Sequence, residues 1–213
     1  MKNTLLPLMA MMALAPQAAH AHPHVFADAR LEIVARDDGT IQELHNIWRF
    51  DEVFSSSVLM DFDKNTNLKL DPEELAEVGK TVLTSLEDFD YYTTLTDNGK
   101  SVKVTKPDMI NVDYKDGQLL MFFAVKPATT MTLKGKLTFG VYDPTLYTSI
   151  DFPTEKDVVL MGKFDGCKGA IVRPDPDTVI AENKSTLTDA FFNDPTGTDM
   201  SKLFATRMEV TCK

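Results

Sequence analysis

Long hydrophobic runs are missing from this 213-residue chain. The longest, residues 5–15, falls well short of the roughly 20 apolar residues a membrane-spanning helix needs, and no later segment comes closer. Positive charge is also scarce, with 22 lysines and arginines against 32 aspartates and glutamates, for a formal net charge of −10. Such a surface repels phosphate backbones and anionic headgroups and attracts cations, which argues against nucleic acid or a membrane surface as partner. There is no Gly-x-Ser-x-Gly, no glycine-rich phosphate loop and no internal repeat. The carboxylates that abound read as a solvated face, so nothing marks an enzyme. Cysteine is limited to Cys167 and Cys212, and histidine to four residues.

What is present begins with an export signal. Lys2 supplies a short positive start, the 5–15 run is apolar, Pro16-Gln17 breaks it, and Ala19-His20-Ala21 matches the small-x-small pattern cut by signal peptidase. The expectation is a signal peptide at 1–21, a periplasmic location, and a mature chain starting His22-Pro23-His24 with no membrane span. Loss of Lys2 takes the net charge from −10 to −11. In an oxidising compartment the two cysteines predict a Cys167–Cys212 disulfide tying the C-terminus to a mid-chain loop. The alternative, a two-thiolate metal site, has no histidine nearby in sequence to complete it. Of the eleven methionines, Met1, Met9, Met11 and Met12 leave with the signal, and the rest are scattered.

Periodicity then organises residues 22–213 as one domain. Alternation over 26–34, the turn Asp37-Asp38-Gly39 and a return over 41–50 predict a β-hairpin within 22–50. Residues 51–88 switch to a helical period. Asp51 caps a helix bearing Phe54, Val58 and Phe62, and Asp71-Pro72-Glu73-Glu74 opens a second, striped by Leu75, Val78 and Val82. From 89 to 213 the chain is β-rich. Asp116-Gly117 joins two strands, alternation over 130–141 predicts one long strand, and further strands are expected at 91–95, 146–152, 158–161, 170–173 and 208–212. Residues 174–202 read as a long loop with at most one helical turn at Phe191-Phe192. The expected fold is α+β, a mostly antiparallel β-sandwich with an inserted EF-hand-like helix–loop–helix.

The inter-helix segment fits a twelve-residue calcium loop. Asp63, Asn65 and Asn67 take the first, third and fifth positions, Lys69 offers its carbonyl at the seventh, and Asp71 and Glu74 take the ninth and twelfth. Leu70 falls at the inward-pointing eighth. The sixth position, ordinarily glycine with φ > 0, is Leu68. Left-handed backbone at a branched residue costs roughly 1–2 kcal/mol, so any calcium binding is expected to be weak, of the order of 10⁻⁴–10⁻³ M. Asp71 and Glu74 would serve equally as helix caps.

Removal of Ala21 would leave His22 with a free amine beside its imidazole, a chelating pair to which His24 adds a third nitrogen. An amine near pKa 8 and imidazoles near 6.5 lose their protons readily, so metals compete well. Pro23 lacks an amide proton, which excludes the square-planar amide-bound arrangement and leaves a brace suited to copper, nickel, cobalt or zinc. His45, read as sharing a face with Ile41 and Ile47, is a further candidate ligand. A structural role is open for each of these histidines.

Several segments together resemble a known bacterial family. They are His22-Pro23-His24-Val25-Phe26, Trp48-Arg49-Phe50-Asp51-Glu52 with Phe54, Asp61-Phe62-Asp63, and Asp143-Pro144-Thr145-Leu146-Tyr147. The family is the domain of unknown function 1007, and the resemblance runs from His22 to about Phe152. Its members are labelled periplasmic components of an uncharacterised ABC-type transport system and often occur beside nickel/cobalt transporters. The family pattern usually has glycine where this chain has Leu68, which bears on calcium binding and not on membership. The resemblance implies a non-catalytic accessory or metal-binding role in divalent transition-metal transport, with an inner-membrane metal transporter as partner. Two rivals stand beside it: a calcium-stabilised scaffold for such a transporter, and a copper histidine-brace redox protein.

Overall fold

The computed structural model describes residues 23–193, 195 and 200–213, so the expected signal peptide and His22 lie outside the described residues. Strands β1 (Val25–Ala35) and β2 (Ile41–Phe50) form the first hairpin, followed by helices α1 (Glu52–Phe62) and α2 (Pro72–Ser85). Next come β3 (Thr93–Asp97), β4 (Lys100–Val102), β5 (Asn111–Lys115) and β6 (Gln118–Val125). The chain continues through β7 (Gly135–Val141), β8 (Thr148–Asp151), β9 (Val158–Gly162) and β10 (Cys167–Val172). Two short helices, α3 (Pro176–Glu182) and α4 (Asp189–Asn193), precede β11 (Arg207–Cys212).

The result is α+β, with two mostly antiparallel sheets and few helices. One sheet runs β5-β6-β2-β1 and the other β10-β11-β7-β3-β4. Two pairings depart from the antiparallel rule. β8 and β9 share the free edge of β1, both parallel to it, β8 along Val25–Asp28 and β9 along Leu31–Ala35. Leu31, Leu44, Trp48 and Met121 from the first sheet and Leu95, Leu137, Phe139 and Val210 from the second join a single buried cluster. The indole of Trp48 meets Phe123 edge-on at 4.8 Å in its middle.

The helix starts follow the expected local chemistry. Asp51 caps α1 by accepting the Phe54 N–H at 2.9 Å, and its second oxygen takes the Phe26 N–H at 2.9 Å, fastening the helix to β1. At α2, Glu74 reaches back to the Asp71 N–H at 2.8 Å, with Pro72 in the first turn. Among the described residues no helix is long and apolar enough to cross a membrane.

Four expectations are corrected. The long strand over 130–141 begins only at Gly135, whose φ of 73° breaks the extended run; Met131 instead accepts the Ile41 N–H at 2.9 Å. The 146–152 strand starts at Thr148, since Leu146 has φ 57°. Asp90, Tyr91 and Tyr92 are all left-handed, so β3 opens after them. The 174–202 loop holds two helices. Asp175 caps α3 through the Thr178 N–H at 2.9 Å, followed by Pro176, the same device that opens α2.

Candidate metal-binding sites

Of the three candidate histidines, the structure describes two and keeps them apart. His24 is exposed just before β1, donates its backbone N–H to the Tyr147 carbonyl at 2.9 Å and lays its ring by Tyr147, centroids 5.1 Å apart. His45 stands mid-strand in β2, directly opposite Glu32. Eight residues of extended chain separate His24 from Glu32, roughly 26 Å. His45 therefore does not reach the N-terminal site. Its ring nitrogens meet carboxylates instead, Nδ1 at 3.4 Å from Glu32 and Nε2 at 3.1 Å from Glu43. Burial works to raise the Glu32 carboxyl, but Arg30 and His45 outweigh it and hold the group below its ordinary value.

Nor does His45 share a face with Ile41. A register shift between Val34 and Ala35 puts Ile41 in the core, while His45 and Ile47 stay on the outer face of the sheet. The mark of this bulge in the sequence is the change of apolar phase from Ile41 to Leu44, Trp48 and Phe50.

The loop between α1 and α2 gathers several of its expected oxygens. The Asp71 carboxylate accepts from Asn65 Nδ2 at 2.7 Å and Asn67 Nδ2 at 3.0 Å through one oxygen. Asp63, which ends α1, accepts the N–H groups of Asn67 at 3.1 Å and Leu68 at 2.7 Å. Asn65 and Asn67 turn the chain in the same way, accepting the N–H groups of Asn67 and Lys69. Leu68 adopts φ 61°, the left-handed turn expected at the sixth position, with its side chain in solvent, and Leu70 is buried beneath. Glu74 is buried too, taking the N–H groups of Lys64 at 2.9 Å and Asp71 at 2.8 Å on separate oxygens. Each oxygen keeps a second lone pair. Among the described residues no group of three or more His, Cys, Asp or Glu is placed to hold an ion. The loop's three carboxylates, Asp63, Asp71 and Glu74, are thus not drawn into one such group; its other donors are two amides and a main-chain carbonyl.

The cysteines do pair. Cys167 and Cys212 are register partners in β10 and β11 and form a disulfide, which removes both sulfurs as thiolate ligands. Cys167 starts a strand, where the sequence suggested a loop.

One polar cluster escaped the sequence reading. Asp143, in the Asp-Pro-Thr turn, is buried and takes the Thr145 N–H at 2.7 Å, the Thr145 hydroxyl at 2.7 Å and the Thr148 N–H at 2.9 Å. The Tyr92 hydroxyl also bonds it. Burial first, and then this carboxylate, push the Tyr92 phenol above its ordinary value. The turn motif was visible in the sequence, but a lone aspartate before proline gives no sign of burial. The cluster locks the entry to β8.

Comparison with known sequences agrees with the segments noted above. The profile of a family described as Protein of unknown function (DUF1007) matches residues 7–212. An uncharacterized protein of Haemophilus influenzae is 24% identical over 196 residues, covering 91% of this chain and 92% of that protein. An "Uncharacterized 15.5 kDa protein in trpE 3'region" of Spirochaeta aurantia is 30% identical over 114 residues, 54% of this chain and 81% of that one.

Proposed function

The chain belongs to the DUF1007 family of proteins of unknown function, and on that premise we propose that it is an exported, non-catalytic, cation-binding accessory of a divalent-metal transport system. In this reading the two sheets pack as a β-sandwich and residues 51–88 are an EF-hand-like insert. The observation that carries the cation reading is the loop from Asp63 to Glu74. The side chains of Asn65, Asn67 and Asp71 meet within it, Leu68 makes the left-handed turn, and Leu70 anchors it to the core. Asp63, Asn65, Asn67 and Asp71, the Lys69 carbonyl and Glu74 would hold calcium, a hard ion that prefers oxygen ligands and whose chemistry here is to cross-link the two helices.

Calcium added at ten times its Kd stabilises a protein by about 1.4 kcal/mol. Millimolar calcium therefore raises the melting temperature of the chain starting at His22, and Glu74→Gln removes the increment. An unchanged melting temperature for the unsubstituted chain defeats the reading.

A second site, for the transported metal, is the amine and imidazole of His22 with His24. It is favoured by the exposed position of His24 just before β1. Export rests on the expected 1–21 signal, and the transporter partner on the labelling of family members as transport components.

A further inference from the structure

Charge is spread unevenly over the chain. Residues 51–90 hold eleven of the 32 carboxylates but only three of the 22 lysines and arginines, a net of −8 against −10 for the whole. Within this acidic segment α1 carries no basic residue at all. Its inner face is settled, with Ser55 and Val58 buried and Phe54, Leu59 and Phe62 packed on the core. Its outer face takes Val53, Ser56, Ser57 and Met60, which fall together at helical spacing.

A solvent-facing helix surface ordinarily carries charge. This one does not: Val53 is 79% exposed and Met60 76%. The serines do little to make it polar, because Ser56 donates its hydroxyl to the Glu52 carbonyl at 2.7 Å and Ser57 to the Val53 carbonyl at 3.1 Å. Apolar residues also stand at both ends of the helix. Phe26, 53% exposed, exchanges backbone and side-chain bonds with the N-cap Asp51, and Leu68, 80% exposed, bonds the C-terminal Asp63. Exposed Glu52 and Asp61 flank the apolar face on the helix itself.

We propose that this outer face of α1 docks a cationic amphipathic polypeptide segment, its apolar side on Val53 and Met60 and its lysines or arginines against the surrounding carboxylates. Charge complementarity selects that occupant. A second copy would set two acidic rims against each other, and an eleven-residue helix about 16 Å long offers far less than the roughly 800 Å² per partner of a stable interface. Anionic lipid is repelled by the same charge. A short amphipathic segment needs only a few apolar anchors and gains from the acidic rim. The surface is formed by α1 itself, so the inference does not depend on which cation the neighbouring loop takes.

The test is a fluorescence titration of the chain starting at His22 with an 18-residue helical peptide of leucine and lysine, beside the same peptide with glutamate for lysine. The lysine peptide binds and the glutamate peptide does not. Val53→Ser/Met60→Ser, which changes no charge, weakens binding at least roughly tenfold with helix content and melting temperature retained. Met161→Ser, on the exposed face of the first sheet, leaves binding as it was. Full binding by the double variant would assign the effect to the acidic surface at large and overturn the proposal. A dimer that the double variant dissolves would place a second copy on the face and overturn it equally.

Discussion

The carboxylate of Asp63 receives the backbone N–H of Leu68 at 2.7 Å, and this bond holds Leu68 at φ 61°. A branched side chain in that conformation costs roughly 1–2 kcal/mol, and Leu68 offsets none of it by burial because its side chain is in solvent. Leu68→Gly removes the strain, although the glycine also frees the unfolded chain. The net expectation is a gain of about 0.5–1 kcal/mol, seen as a melting temperature higher by about 2–4 °C. A lower melting temperature would show that the turn is not strained.

Acid should weaken the second sheet in a traceable way. Lys136, 2.7 Å from Glu209, is the chief cause that holds this carboxyl below its ordinary 4.5, with Arg207 adding to it against a burial effect that raises it. A carboxyl whose folded pKa is depressed contributes stability above its unfolded value and loses it as pH falls through the folded one. Stability therefore declines below about pH 4.5, and Glu209→Gln flattens part of that decline. At pH 7 the same change costs less than about 1 kcal/mol, because Lys136 is largely exposed. Denaturant unfolding at pH 7 and pH 3.5 measures both; parallel losses in the two proteins would refute the assignment.

The disulfide closes a loop of 45 residues. In the chain-entropy treatment, a bridge of that span stabilises by about 4 kcal/mol. Reduction, or Cys167→Ser with Cys212→Ser, should lower the melting temperature by on the order of 10 °C. β10, an edge strand whose ladder partner among the described residues is β11, should lose amide protection before the sheet core does. Two free thiols in oxidised protein, found by mass spectrometry, would remove the basis for both statements.

What could be read from sequence was local. The first hairpin, the Asp116-Gly117 turn with both residues at positive φ, and the caps at Asp51 and Asp71-Pro72 each depend on a few neighbouring residues. The parallel docking of β8 and β9 along β1 depends on contacts more than 100 residues apart, and no local chemistry encodes it. α3 was legible in principle, since Asp175-Pro176 repeats the Asp71-Pro72 signal, but its seven residues carry too short an apolar stripe to stand out. His45 was misplaced because one bulge breaks the alternation between it and Ile41. The left-handed turn at Leu68 and the inward Leu70 could be read from spacing, whereas the burial of Glu74 and Asp143 needed the fold.

The N-terminal metal site makes the sharpest demand, because it depends on a residue being terminal. Ordinary histidine sites are indifferent to one extra residue upstream, but the amine–imidazole chelate of His22 exists only once Ala21 is gone. Protein starting at His22 should then bind copper(II) or nickel(II) more tightly than the same protein extended by one residue, in parallel calorimetric titrations. His24→Ala weakens binding further, since a third nitrogen is lost. His45→Ala leaves it unchanged, because that ring lies some 26 Å along the strand between Glu32 and Glu43. Glu74→Gln also leaves it unchanged, as hard oxygens suit calcium and not these ions. Surface carboxylates, present in excess on so acidic a chain, bind metals loosely and equally in both forms, so the comparison cancels them. Equal affinities for the native and extended chains would exclude the chelate.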